Sequence, residues 1–148
     1  MNPLTIYQQA LDTVSAAALA GDFAAYAAMI DLPYLVHTDV ARLLVTSRAD
    51  LLPTFQTLHQ TLRRRGVTHY ERLAREADYV APHRIEGRHF THMIADGIRV
   101  APPHQARQVL VLRTDVWRFS EAHYATEAAT WPVPEHLLFP APKSDARG

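Results

Sequence analysis

The hydrophobic pattern changes period along the chain. Ile6, Ala10, Leu11, Val14, Ala17 and Ala18 recur at helical spacing, with Gln8, Gln9, Asp12 and Ser15 on the other faces. That spacing predicts a helix over 3–20. Gly21 closes it, because glycine takes the left-handed conformation that a helix stop requires. Asp22 then caps a short second helix over 23–30, which Leu32-Pro33 breaks. Residues 34–38 and 42–46 read as two short strands joined through Asp39-Val40-Ala41. Leu51, Phe55, Leu58 and Leu62 form the apolar stripe of a third helix, ended by Gly66. Pro53 is awkward if this helix starts at Arg48, so a cap at Asp50 with Pro53 in the first turn is preferred.

From Val67 onward β-branched and aromatic residues dominate. A long strand over 68–80 turns through Ala81-Pro82-His83-Arg84 into a strand over 87–95. Asp96-Gly97 is the strongest hairpin signal in the chain. Its partner strand runs over 98–113, with Pro102-Pro103 forcing a bulge or an edge near the start. Thr114-Asp115 turns into a last strand over 116–128. Helices first and strands last predict an α+β fold, three helices packed on one face of a curved, mostly antiparallel sheet. One domain over 1–131 is expected, followed by an extended proline-rich tail over 132–148.

Composition narrows the function classes. Fifteen basic residues balance fifteen acidic ones, which argues against a nucleic-acid partner. The one basic run, Arg63-Arg64-Arg65, falls at a helix C-terminus, where cations offset the helix dipole. No cysteine is present, so disulfides and thiolate metal sites are excluded. The N-terminus lacks a cationic leader and no apolar run approaches a membrane span, so a cytoplasmic protein without a membrane partner is expected.

Two stretches carry a family resemblance: Ala18-Leu19-Ala20-Gly21-Asp22-Phe23 at the first helix break and Asp115-Val116-Trp117-Arg118-Phe119 near the end. Together with the element order, they make residues 4–130 similar to the nuclear transport factor 2-like superfamily. That superfamily includes ketosteroid isomerases, scytalone dehydratase and the SnoaL-like polyketide cyclases. The resemblance implies a cone of bent sheet and helices around an apolar pocket with a few polar groups inside. Such walls desolvate a small ligand and raise carboxyl pKa values. The isomerase machinery carries over poorly. Its tyrosine falls at Val14, its general base at Thr38, and its protonated acid at His104 or Asp115 depending on the match. Steroid isomerisation is disfavoured, while the pocket is still expected.

His37, His92 and His104 are the candidate proton-transfer groups. Alternation puts His37 and Asp39 on one face of the first strand and Tyr34, Val36 and Thr38 on the other, and only one set can face the pocket. The more apolar set is the better candidate. His92 shares a face with Phe90 and Ile94, where it is either a core histidine or the polar group inside the cone. His104 follows Pro102-Pro103 as a pocket residue or a loop histidine. Tyr34, Thr38, His92, His104 and Trp117 make up the expected pocket lining. His89 and His92 point to opposite faces of one strand, and no helical histidine pair occurs, so neither a metal nor another cofactor is expected.

Val109 and Val111 alternate with Leu110 and Leu112, so this strand is apolar on both faces and must be covered on both. Helices cover one, and the resemblance implies a second copy on the other, giving a homodimer. The expectation is a SnoaL-like pocket protein. It is either an acid–base enzyme of isomerase, cyclase or dehydratase type or a binder of a small hydrophobic metabolite. The alternative is a non-catalytic dimeric accessory or binding domain of the same fold.

Overall fold

A computed structural model describes residues 2–38, 42–100 and 104–124, with only the backbone of His104. Asn2 starts α1 (Pro3–Ala20) by accepting the Leu4 N–H on Oδ1 at 2.7 Å, and Gly21 ends it at φ 77°. Asp22 caps α2 (Phe23–Ala28) by accepting the Ala25 N–H at 3.1 Å. Then follow β1 (Ile30–Thr38), β2 (Arg42–Val45), α3 (Arg48–Arg64), β3 (His69–Ala81), β4 (Arg84–Ala95), β5 (Ile98–Arg99), β6 (His104–Arg113) and β7 (Val116–Tyr124).

The strands form one seven-stranded sheet in the order β2-β1-β7-β6-β4-β3, with β5 on β4. Every described pairing is antiparallel except β1 with β7, which run parallel. Register shifts that leave Arg75 of β3 and Ser120 of β7 as extra residues bend the sheet, as bulges do by tightening twist. The helices pack into the inner side of that bend. Tyr7 and Leu11 of α1 and Leu51 and Leu62 of α3 are buried there with Ile85, Leu110 and Phe119 of the sheet. The fold is the expected α+β arrangement of three helices on a curved sheet.

Several boundaries differ from expectation, among them the starts of β1 at Ile30 rather than 34 and of β4 at Arg84 rather than 87. Ser47 rather than Asp50 caps α3, accepting the Asp50 N–H on Oγ at 3.1 Å while Thr46 donates to the Asp50 carboxylate at 3.3 Å. Pro53 therefore lies inside the helix, and the Ala49 carbonyl loses its usual donor. Leu32-Pro33, a cis peptide, lies within β1 rather than ending α2. The β1–β7 ladder shifts register between Ile30 and Leu35, so a residue without an N–H is tolerated in that gap. The strand expected over 98–113 is two strands, β5 and β6, whose connection includes Pro102-Pro103. Asp39-Val40-Ala41, Pro102-Pro103, the end of the last strand and the 132–148 tail lie outside the described residues.

Candidate functional site

The bend of the sheet encloses a cavity of about 30 Å³. β1 contributes Tyr34 and Val36, β7 contributes Phe119 and Tyr124, and α2 contributes Tyr26. Arg72 of β3 reaches the same cavity, and Gln108 of β6 completes its polar lining. Leu43 and Thr54 are the lining residues that are only half-buried, so the opening lies between β2 and α3. The volume holds about two water-sized groups.

Arg72 is the unusual member. It is 5 % exposed, and its Nη2 donates to the Tyr70 hydroxyl at 2.6 Å, with the guanidinium over the Tyr70 ring. Among the described residues, its Nε has no hydrogen-bond partner and no carboxylate lies within ion-pair distance of it. Burial works against the charge, but the tyrosines around it, Tyr70 first, outweigh that effect and Arg72 stays charged. Burial also raises the tyrosines that line the cavity: Tyr26 to about 12, and Tyr34 and Tyr124 well above the ordinary phenol value. All three remain neutral hydroxyls around neutral pH. The described lining contains no histidine, carboxylate or lysine.

A second buried polar pair lies deeper. The Tyr7 hydroxyl of α1 is 2.7 Å from His89 Nδ1 of β4, both side chains being fully enclosed. Gly87 makes the approach possible, since a Cβ there would lie 2.6 Å from Cζ of Tyr7. The alternation read for β4 holds, but its faces are reversed: Ile85, His89, Thr91 and Met93 point inward. His92 is on the outer face, 3.2 Å from an Arg99 nitrogen, and is not brought to the cavity. The inward histidine is His89.

Of the other expected site residues, Tyr34 lines the cavity and Thr38 sits half-buried at the end of β1, opposite Tyr124 and outside the lining. Trp117 lies against the Tyr79 ring at 6.1 Å and borders a separate depression beside α1. His104 pairs through its backbone with Thr91, and its side chain is outside the described residues. Asp115, at φ 65°, is a turn residue. Val14 does line the cavity, but without a donor.

His37 lies on the outer face of the sheet, where parallel pairing sets it opposite His123. The two rings stack at 4.2 Å with 9° between their planes. Glu121, two residues before His123 on the same face, is 3.2 Å from His123 Nε2 and accepts from Arg84 Nη2 at 3.0 Å. The ligand atoms of His37, Glu121 and His123 all lie within 4.8 Å of one another. Burial first, then His123 and Arg42, push His37 below its ordinary value. Desolvation pushes Glu121 up, but hydrogen bonds from Arg84 and His123 outweigh it and hold the carboxyl below the usual range.

Sequence reasoning singled out His37 but passed over Arg72, Glu121 and His123. Arg72 alternates with Glu71 and Leu73 as any strand arginine would. His37 and His123 meet only because β1 and β7 pair in parallel, which no local spacing announces.

No family model matches the chain, and no curated protein matches it in sequence. Solved structures do match its fold. An NTF2-like protein with a cystatin-like fold from Novosphingobium aromaticivorans is 15% identical, with a TM-score of 0.62 over 92% of this chain and 88% of that one. An NTF-2 like protein of unknown function from Shewanella oneidensis is 12% identical, TM-score 0.61, over 84% of this chain and 99% of that one. A candidate dehydratase of the NTF2-like family from Streptomyces avermitilis is 14% identical, TM-score 0.60, over 83% of this chain and 97% of that one. The chain has the NTF2-like fold. At these identities the likeness speaks for the fold alone.

Proposed function

We propose that this NTF2-like chain is a SnoaL-like pocket protein that binds a small organic anion, its anionic head on Arg72. The observation that carries the reading is a 5 % exposed guanidinium with no carboxylate partner among the described residues. Tyr70 meets one side of the guanidinium, but a buried cation with no anionic partner still carries a desolvation cost, on the order of several kcal/mol for one ion. A ligand carboxylate removes that penalty and satisfies Arg72 Nε in a fork geometry suited to it. The neutral Tyr26, Tyr34 and Tyr124 hydroxyls can orient the head, and the apolar walls favour a hydrophobic body. A cavity of about 30 Å³ takes the head alone, so the body extends toward the opening at Leu43 and Thr54.

Binding is favoured over acid–base turnover. The described lining offers an arginine and raised tyrosines, none of which titrates near neutral pH as a general base must. Calorimetry with butyrate and benzoate, each against its alcohol, tests the reading. Both carboxylates are expected to bind and both alcohols to fail, and Arg72→Met should weaken carboxylate binding at least tenfold. Equal binding of acid and alcohol, or no binding at millimolar concentration, would overturn it.

A second reading concerns assembly. The outer face of the sheet carries Leu44 at 57 % and Leu73 at 48 % exposure, beside half-buried Leu35 and Phe90. We infer a homodimer through this face, consistent with a dimeric binding domain. Light scattering after size exclusion is expected to give twice the 16.7 kDa chain mass, and a monomer at micromolar concentration would sink it.

A further inference from the structure

We propose that His37, Glu121 and His123 form a binding site for a zinc-class divalent cation on the outer face of the sheet. The site is independent of the Arg72 cavity, because Tyr34, Val36 and Tyr124 face inward on the same two strands.

Three arguments support it. The first is placement. Parallel register sets His37 opposite His123, and the period of two along β7 returns Glu121 to the same face. Both strands are interior to the sheet, β1 between β2 and β7 and β7 between β1 and β6, so the ligand-bearing backbone is held on both sides. Ligand atoms within 4.8 Å of one another need only small side-chain movements to close on one ion.

The second is chemistry. Two imidazoles and one carboxylate form a donor set used by zinc and its first-row neighbours, and three protein ligands leave a position for water. Glu121 and His123 themselves line a groove of about 290 Å³ along the outer face, so in the single chain solvent reaches that position. The third is support behind the ligands. Arg84 holds one Glu121 oxygen at 3.0 Å, leaving the other directed at His123 Nε2. Outer hydrogen bonds of this kind orient metal ligands before the ion arrives.

Stacked rings at 4.2 Å also need an explanation, because two imidazolium cations at that distance repel. The arrangement is suited to neutral rings, the form that ligates metal. Arg42 of β2, Arg84 of β4 and Arg107 of β6 border the cluster through pairing or hydrogen bonding. Glu76, Asp78 and Glu86 line the same groove and offset those cations, so the net long-range attraction is small and affinity comes from direct ligation.

Calorimetry of the full chain with zinc chloride near pH 7.5 tests the proposal. One ion per chain is expected, and cobalt(II) in its place should give the intense visible bands of a four-coordinate site. His37→Ala and His123→Ala should each weaken zinc at least tenfold, and the near-isosteric Glu121→Gln should weaken it without disturbing the fold. His83→Ala, on an exposed turn, should leave binding unchanged. Affinity that is insensitive to His37→Ala, His123→Ala and Glu121→Gln alike would overturn the assignment, as would the absence of saturable binding. Neither result depends on carboxylate binding at Arg72, so the two proposals fail separately.

Discussion

Arg72 separates two roles that a buried arginine can have. If it holds the fold together, removing it should be costly, because breaking a buried charge pair costs about 3–5 kcal/mol. Its described partner is a hydroxyl, that of Tyr70, rather than a carboxylate. Replacing a buried charge by an apolar side chain of similar volume is often neutral or stabilising. Arg72→Met is therefore expected to melt at or above the temperature of the natural chain while losing carboxylate binding. A loss of about 3 kcal/mol or more in chemical denaturation would make Arg72 a structural residue instead. The sequence hides this role, since alternation places Arg72 on a face but does not say that the face is enclosed. Histidines on β4 illustrate the same limit. The spacing of His89 and His92 shows that they diverge, yet only the packing of α1 shows that His89 is the buried one.

Elements were legible where the signal is local and hidden where a partner decides. α1 reads directly, because its apolar spacing, its Gly21 stop and its burial agree. For α3 the Ser47-x-x-Asp50 cap outweighed the proline penalty, and both signals were present in the sequence. The contact between α1 and β4 was not legible. Gly87 has ordinary strand neighbours, and its need for a bare Cα comes from the Tyr7 ring across the interface. Gly87→Ala would place a methyl group against a fully buried ring with no room to retreat. Overpacking of that kind costs about 1–3 kcal/mol, and a matching fall in urea midpoint is expected. Tyr7→Ala in the same background should relieve most of the strain, so a double-mutant cycle would show strong coupling. Simple additivity would mean that the ring does not press on Gly87.

At the scale of the whole molecule, the order of helices and strands carried the architecture, and the parallel closure of β1 on β7 carried what the sequence could not reveal. That closure seals the inner face and buries Tyr7, Tyr26, Tyr34 and Tyr124 around one polar core, four of the six tyrosines in the chain. Burial is the largest cause raising each of them, Tyr26 to about 12 and the others also well above the ordinary value. A tyrosine raised in the folded state binds its proton more tightly there than in the unfolded chain. The stability this provides is whole below the ordinary phenol value near 10 and is lost as pH rises through the raised values. All four groups titrate in the same direction, so their effects add and alkaline unfolding should be cooperative. Ultraviolet titration is expected to show the buried phenols ionising together, in step with loss of helical circular dichroism. In 6 M guanidinium the same groups should titrate smoothly around pH 10 (about the model-peptide value). A smooth titration of all six tyrosines near pH 10 in the folded protein would mean that the inner face is open to solvent, and the enclosed Arg72 site would fall with it.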